Sequence, residues 1–103
     1  MSLSIVLRPA AQEEFDEAVD WYEQQSAGLG VEFLNRVEEA LDRISATPEA
    51  YSIVFQEMRR IVVRKFPYLI YYRVEPEQIV VLAIFHNTRS PKSWQSRVSE
   101  FYE

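Results

Sequence analysis

Residues 59–94 decide the fold of this 103-residue chain, and they read RRIVVRKFPYLIYYRVEPEQIVVLAIFHNTRSPKSW. Three runs rich in Val, Ile, Tyr and Phe fall between Arg59 and Phe85, and they are separated by Pro67 and by the polar turn at residues 75–78. Runs of this composition with turn residues between them are typical of consecutive antiparallel strands. The stretch therefore predicts a three-stranded meander.

Alternation within these runs predicts a sheet with two different faces. Successive side chains of a strand point to opposite faces. Ile61 and Val63 would therefore share an apolar face with Ile70, Tyr72 and Val74 of the next run. The other face is expected to be open to solvent or to a partner, and it would carry Arg60, Val62, Arg64, Leu69, Tyr71 and Arg73.

Composition predicts one soluble domain without a cofactor. With 48% hydrophobic and 14% aromatic residues the chain can bury a core, so residues 1–103 are expected to form a single domain. There is no cysteine, and one histidine cannot supply a zinc site by itself, so we expect neither a disulfide nor a metal centre. No apolar run is long enough to span a bilayer, and no secretion signal is recognisable. We therefore expect a cytoplasmic protein that does not enter membranes.

The charge distribution argues against general nucleic-acid binding. The net charge is -5, whereas proteins that bind phosphate backbones without sequence preference usually carry a basic excess. Residues 58–73 nevertheless contain five Arg or Lys residues and no carboxylate. This local basic surface is either a binding site for a partner or a solvated strand face.

The N-terminal half predicts a strand followed by a helical hairpin. Alternating apolar residues within 2–8 indicate a first strand. Apolar spacings of three and four from Pro9 to Gln25 predict an amphipathic helix, which the glycine-containing segment 26–30 ends. A second apolar stripe over residues 33–44 predicts another helix, which Pro48 ends. Two helices joined by so short a turn lie antiparallel and can cover one face of a sheet.

The fold class expected is therefore α+β. The helical hairpin would pack on one face of a small antiparallel sheet, which the meander and the first strand form together. The apolar run 79–85 suits an interior strand, so the first strand is expected beside it. Ile53 to Phe55 would open the first meander strand, and Ser90-Pro91 would begin a short C-terminal helix. Trp21 lies off the main apolar stripe of the first helix and would be either an exposed anchor or a peripheral core residue, of which the core is favoured.

Several of these segments resemble the RelE/ParE superfamily of toxins from bacterial type II toxin-antitoxin systems, and the ParE branch most. The resemblance extends over nearly the whole chain, and its most specific part is FPYLIYYRV, although that motif is mostly structural. The segments that carry it are AVDWYE at 18–23, GLG at 28–30 with Phe33-Leu34, Pro48, RRIVVRKFPYLIYYRVE at 59–75, IVVLAIFH at 79–86, and Arg89.

This resemblance implies a toxin that a cognate antitoxin neutralises, with DNA gyrase as its target and no direct nucleic-acid contact. The RelE branch instead cleaves mRNA on the ribosome, using cations and a tyrosine. Leu69, Val62 and Trp94 stand where that branch has a working arginine, a lysine and the tyrosine, while Arg60 and Arg89 match cationic positions. The interpretation favours a toxin that is not an enzyme. The alternatives are a ribosome-dependent ribonuclease and a toxin-fold protein that only binds a partner.

Candidate residues for binding the target or the antitoxin follow from the basic face and from the resemblance. His86, the single histidine, could be a general base or a hydrogen-bonded strand terminus. Arg89 and the tail after it are expected to reach the target. The complete candidate set is Arg60, Arg64, Leu69, Tyr71, Arg73, His86, Arg89 and Trp94.

Overall fold

A helical hairpin and a five-stranded sheet make up residues 3–88, the part of the chain that the computed structural model describes. The predicted C-terminal helix lies outside these residues. Neither described helix combines the length and the apolar character that crossing a bilayer requires. In chain order the elements are β1 (Ser4–Leu7), α1 (Pro9–Gln25), α2 (Leu29–Ala46), β2 (Ile53–Phe55), β3 (Met58–Val62), β4 (Tyr68–Val74) and β5 (Gln78–His86).

The sheet is mixed, with the strand order β1-β5-β4-β3-β2. β1 lies beside β5, as predicted, but it runs parallel to it, with Ser4 opposite Gln78 and Leu7 opposite Val81. The remaining strands form an antiparallel meander. The expectation of a purely antiparallel sheet is therefore wrong. A parallel neighbour needs a crossover connection, and the helical hairpin together with the meander supplies one.

β2 is a separate strand and does not open the first meander strand. It pairs antiparallel with β3, with Ile53 opposite Arg59 and Phe55 opposite Met58. Gln56 lies between the two strands with a φ of 53°, in the left-handed region that a tight reversal uses. The meander therefore has four strands where the sequence predicted three.

Three residues of the α1–α2 connection hold the helical hairpin together. Gly28 has a φ of 88°, which an L side chain rarely adopts. Gly30 was predicted to belong to the turn, yet it lies inside α2, where an added Cβ would be 2.6 Å from the carbonyl oxygen of Val19. The Glu23 carboxylate accepts the N–H groups of Gly28 at 2.8 Å and Gly30 at 2.9 Å. It thereby satisfies donors at the start of α2 that have no partner within the helix.

The main core lies between the hairpin and one face of the sheet, and aromatic rings dominate its centre. Phe33 of α2 is fully buried. Its ring lies edge-on to Phe66 at 5.1 Å and to Tyr68 at 4.9 Å, and 5.0 Å from Tyr22. Edge-on ring pairs at these distances stabilise a core beyond the area they bury. The small side chain of Ala18, which is 6% exposed, keeps α1 close to the sheet.

The second face of the sheet is buried along β4 and β5, so the prediction of an open face is wrong there, whereas Arg60 and Val62 of β3 remain exposed. Tyr71 is 3% exposed and Phe85 is 1% exposed, and Leu69 packs against them. β5 is responsible for much of this, because all its residues from Ile79 to Phe85 are buried. A strand that is apolar on both alternating sets is expected to be covered on both sides. The second cluster comprises Met58, Tyr71, Val80, Leu82, Ala83 and Phe85.

A bulge in β5 adds to this second cluster. Tyr71 pairs with Ala83 and Tyr72 pairs with Val81, so Leu82 is the additional residue between them. Leu82 and Ala83 consequently both belong to the second cluster, although neighbouring residues of a regular strand would face opposite sides.

Candidate functional site

Two adjoining cavities of about 270 and 450 Å³ lie between the second half of α1 and the ends of β4 and β5. Both are lined by Trp21, Tyr68 and His86, so they form one continuous depression, which we name the aromatic groove. The complete lining is Glu14, Glu17, Ala18, Trp21, Tyr22, Pro67, Tyr68, Ile84 and His86.

One side of α1 supplies a wall of the groove. Glu17, Ala18 and Trp21 lie three, four and seven residues after Glu14, which places all four on one side of the helix. Trp21 is 55% exposed, so the expectation that it belongs to the core is wrong. Its ring lies edge-on to that of Tyr22 at 5.0 Å, and Tyr22 takes the buried position. A large aromatic side chain held at the surface in this way is a typical interface anchor.

The opposite wall is the pair formed by Tyr68 and His86, which lie directly across from each other in β4 and β5. Their rings are 5.4 Å apart and edge-on. The Nδ1 of His86 accepts the backbone N–H of Thr88 at 3.2 Å and lies 2.8 Å from its hydroxyl. In the neutral ring the proton therefore resides on Nε2. His86 is thus a hydrogen-bonded strand terminus, one of the two roles considered for it.

The Tyr68 phenol in the groove is protonated near physiological pH. Burial raises the pKa of the Tyr68 phenol above its ordinary value, and the nearby Tyr22 and Glu14 add to this effect. A phenol with a raised pKa stays neutral near physiological pH and can act there as a hydrogen-bond donor. Residues 3–88 also contain no group of three side chains suited to hold a metal ion.

The arginines predicted to share one basic face are dispersed. Arg60 is exposed on β3. Arg64 lies beyond the end of β3, and its guanidinium is 3.4 Å from the Glu39 carboxylate of α2, on the helical side. Arg73 has only 14% of its side chain exposed and forms an ion pair with Glu75. The structure therefore brings none of these three cations together.

The remaining predicted residues divide between the buried second face and the undescribed tail. Leu69 and Tyr71 belong to the second face and are held in its apolar cluster. Arg89 and Trp94 lie outside the described residues. Among the predicted residues that the structure describes, His86 alone lines the groove. Tyr68 and Glu17 were not among the candidates, and for Trp21 the core had been favoured over a role as an exposed anchor. The hairpin register could have identified Tyr68, because it lies opposite His86.

A sequence model of the family described as "ParE toxin of type II toxin-antitoxin system, parDE" matches residues 5–91. The chain belongs to this toxin family. The match begins within β1, includes α1 to β5, and therefore contains the complete groove of this ParE-family chain.

Two curated relatives are both called Toxin ParE2 and come from Mycobacterium tuberculosis, from strain CDC 1551 / Oshkosh and from strain ATCC 25618 / H37Rv. Each is 32% identical to this chain over 63 residues. The match covers 61% of this chain and 60% of each relative, so the ParE-family chain spans less than two thirds of their length.

Among solved structures, a chain of the "Chromosomal ParDE TA system from P. aeruginosa" superposes on this one with a TM-score of 0.70. The superposition covers 82% of this chain and 96% of that chain, at 16% sequence identity. At this identity the likeness establishes the fold, and it confirms the predicted α+β architecture of the ParE-family chain.

Proposed function

We propose that this chain is a cytoplasmic toxin that arrests growth by inhibiting DNA gyrase, and that a cognate antitoxin neutralises it by direct binding. Membership of the ParE family over residues 5–91 supports this proposal. Inhibition would occur through protein–protein contact and not through cleavage of a bond, so it requires an exposed contact surface and no catalytic group.

The main support for a target other than mRNA comes from the positions at which the RelE branch has its catalytic residues. Leu69 packs into the apolar second cluster, and Val62 is an apolar side chain that is 58% exposed. RNA cleavage needs cations to stabilise the negative charge that develops in the transition state. Of these positions in the described residues, Arg60 alone carries a cation. This arrangement supports a binding toxin over a ribonuclease.

The contact residues proposed for the target lie on β3 and beyond β5. Arg60 and Val62 are exposed and lie two residues apart on the same strand, so their side chains point to the same side. An arginine next to an exposed apolar side chain is a favourable combination in protein interfaces. Arg89 and Trp94, outside the described residues, complete the proposed set. Arg64, Leu69, Tyr71 and Arg73 have structural contacts of their own and would support this surface indirectly.

The experiment that tests this function measures two activities of the same purified chain. We expect it to inhibit supercoiling by purified gyrase, and we expect the antitoxin to relieve the inhibition. In a ribosome-primed reaction the chain should leave mRNA intact. Codon-specific breaks in the mRNA, together with unaffected supercoiling, would show that the target is the ribosome and not gyrase. If the chain neither inhibits gyrase nor cleaves mRNA but still binds the antitoxin, it is a toxin-fold protein that only binds a partner.

A charge-matched pair of variants tests the contact surface. Arg60→Gln should weaken gyrase inhibition, whereas Lys65→Gln, which removes an exposed cation from the β3–β4 connection, should leave it unchanged. Circular dichroism of both variants checks that the fold is retained. Equal inhibition by the two variants would remove Arg60 from the proposed interface.

A further inference from the structure

The second face of the sheet is buried more deeply than its own strands explain. Met58 is fully buried, and Leu82 and Phe85 are each 1% exposed. The second cluster and the apolar residues packed against it all belong to β2–β5. Side chains of a strand stand roughly perpendicular to the sheet, so a further layer of protein is needed to shield their ends. Burial of this depth therefore requires a layer over the second face.

The helices and the connecting loops within residues 3–88 face the other side of the sheet. The buried side chains of α1 and α2 belong to the main core on the first face, and so do the aromatic residues of the loops. Residues 1–2 adjoin β1, whose start lies opposite Gln78, at the far end of β5 from Phe85. Residues 89–103, in contrast, follow β5 at the end where Phe85 lies.

The buried part of the second face forms a diagonal band that starts where β5 ends. Phe85 is near the end of β5, Tyr71 is in the middle of β4, and Met58 is the first residue of β3. Val62 at the last position of β3 points to the same face as Met58, yet it is 58% exposed. The covering layer therefore crosses the strands at an angle and leaves a corner of the face open, at Arg60 and Val62.

Residues 89–103 are long enough to form this layer. Phe85 and Met58 lie about 16 Å apart along the band, since neighbouring strands are spaced by about 4.8 Å and residues along a strand by about 3.3 Å. A helix over residues 91–103 would be about 20 Å long, at about 1.5 Å per residue. One helix of this length therefore spans the whole band.

The same segment has one apolar side. Trp94, Val98 and Phe101 are spaced by four and three residues, so a helix would place them together. The opposite side would carry the polar residues Lys92, Ser96, Ser99 and Glu100. A helix with such a stripe needs an apolar surface to pack on, and the second cluster is the apolar surface at the point where the segment begins.

We propose that residues 91–103 form a helix that packs diagonally across the second face of the sheet. Val98 and Phe101 contact Leu82 and Ala83 of β5, and the sheet becomes the middle layer between this helix and the helical hairpin. The short connection to β5 gives the segment an effective concentration in about the millimolar range at this face, which favours it over a second copy of the chain. The packing does not rest on the proposed target.

This packing joins the two parts of the proposed contact surface, a consequence that does rest on the proposed function. The helix begins at the end of the face where the open corner of Arg60 and Val62 lies. Arg89 and Trp94, which belong to the start of the segment, then adjoin that corner. A tryptophan ring is seldom buried completely, so Trp94 packs on the sheet with one part and presents another to a partner.

Nuclear Overhauser contacts in the full chain test the packing directly. In a ¹³C-labelled sample we expect contacts from the Phe101 ring and the Val98 methyl groups to the methyl groups of Leu82 and Ala83. The methyl groups of Val37, which are buried in the main core, are the control and should show no contact with the segment. Absence of contacts to Leu82 and Ala83, or contacts to Val37 in their place, would overturn the proposal.

A mixture of labelled and unlabelled chains identifies which chain supplies the layer. We expect the contacts between the segment and β5 to occur within the labelled chain. Contacts that join a labelled chain to an unlabelled one would show that a second copy covers the face, and they would also overturn the proposal.

A charge-matched pair of variants measures the contribution to stability. Val98→Asp should raise the equilibrium constant for unfolding at least about tenfold, because it removes buried apolar surface and introduces a carboxylate there. Ser99→Asp adds the same charge at the next residue, on the polar side, and should change that constant less than about twofold. Urea unfolding measures both. Equal effects of the two variants would contradict the packing.

A milder pair keeps the comparison measurable if the aspartate at 98 prevents folding. Val98→Ala should still raise the equilibrium constant for unfolding, because it removes two methyl groups from the apolar side. Ser99→Ala should leave it nearly unchanged. An unfolding constant that is insensitive to Val98→Ala would place this side chain outside the layer.

The outcomes also separate this inference from the proposed function. A chain that shows the contacts to Leu82 and Ala83 but does not inhibit gyrase would keep the packing and remove gyrase as the target. Gyrase inhibition by a chain that lacks these contacts would overturn the packing and leave the target in place.

Discussion

The phenol of Tyr72 donates a hydrogen bond of 2.7 Å to the carbonyl oxygen of Pro48. Tyr72 lies in the middle of β4 and is fully buried, and Pro48 follows the end of α2. The bond therefore fixes the exit of the helical hairpin to the centre of the sheet. A buried phenol that has found a hydrogen-bond partner adds specificity to a core that is otherwise apolar.

Tyr72→Phe is expected to change stability in a pH-dependent way. Burial raises the pKa of Tyr72 to about 12, whereas an unfolded tyrosine titrates near pH 10. The contribution is fully present below about pH 10 and is lost as the pH rises towards about 12, because only the unfolded chain ionises in that range. Near neutral pH the variant should be about 1 kcal/mol less stable, through loss of the bond to Pro48.

The measurement for Tyr72 is urea unfolding of both proteins from about pH 8 to about pH 12. The stability difference between wild type and variant should narrow as the pH rises above about 10. A constant difference across this range would show that Tyr72 ionises equally easily in both states.

Gly30→Ala is expected to destabilise the hairpin. Alanine in a helix interior is normally favoured over glycine by about 1 kcal/mol. Here the added Cβ would lie 2.6 Å from the backbone oxygen of Val19, and only a movement of α1 away from α2 can relieve that contact. Overpacking costs about 1 to 3 kcal/mol, so we expect a net loss in the free energy of unfolding. Gly28→Asn is the control, because asparagine tolerates a positive φ and Gly28 has no atom close to an added Cβ. A stabilised Gly30→Ala variant would contradict this packing.

Glu23→Gln tests the carboxylate that closes the hairpin. The N–H of Gly28, with smaller contributions from Gly30 and Val31, lowers the pKa of Glu23 below its ordinary value. A lowered folded-state pKa gives stability that is present above the unfolded pKa, near 4.3, and is lost as the pH falls through the folded value. The melting temperature of wild type should therefore exceed that of the variant near neutral pH, and the difference should shrink in acid. Melting temperatures that differ equally at both pH values would show that the charge of Glu23 has no part in the effect.

Trp21→Ala and Phe33→Ala are expected to differ strongly in stability. Phe33 is fully buried within the aromatic cluster, so its truncation should cost about 3 to 5 kcal/mol. Trp21 is more than half exposed and loses chiefly its ring contact with Tyr22, so its truncation should cost about 1 kcal/mol. Denaturant unfolding measures both values. Similar decreases in the free energy of unfolding for the two variants would show that Trp21 contributes to the core.

Sequence patterns predicted the elements that depend on local signals. α1 begins at Pro9 and ends at Gln25 as predicted, because a proline suits the first helical turn and the apolar stripe continues without a break until Gln25. The position of β1 beside β5 also followed from the apolar character of residues 79–85. Its parallel direction did not, because pairing direction depends on the path of the chain and not on side-chain alternation.

The arginines predicted to share one face are separated where strand alternation stops applying. β3 ends at Val62, so Arg64 no longer follows the strand's alternation, and Lys65 with a φ of 69° turns the chain there. Trp21 lies off the apolar stripe of α1 that includes Tyr22, and its exposed position follows that periodicity and not the hydrophobic character of its indole ring. The groove was missed because its walls come from α1 and from the ends of β4 and β5, which only the tertiary fold brings together.

The parallel pairing of β1 with β5 has a consequence for synthesis. Ribosomes make the chain from its N-terminus, so the helical hairpin and β1 to β3 emerge before β5, yet β5 lies between β1 and β4 and carries the largest share of buried strand residues. Long-range strand pairing cannot form until its later partner exists. We expect a nascent chain that lacks β5 to have neither a closed sheet nor an aromatic groove, so the groove arises only after β5 has been synthesised.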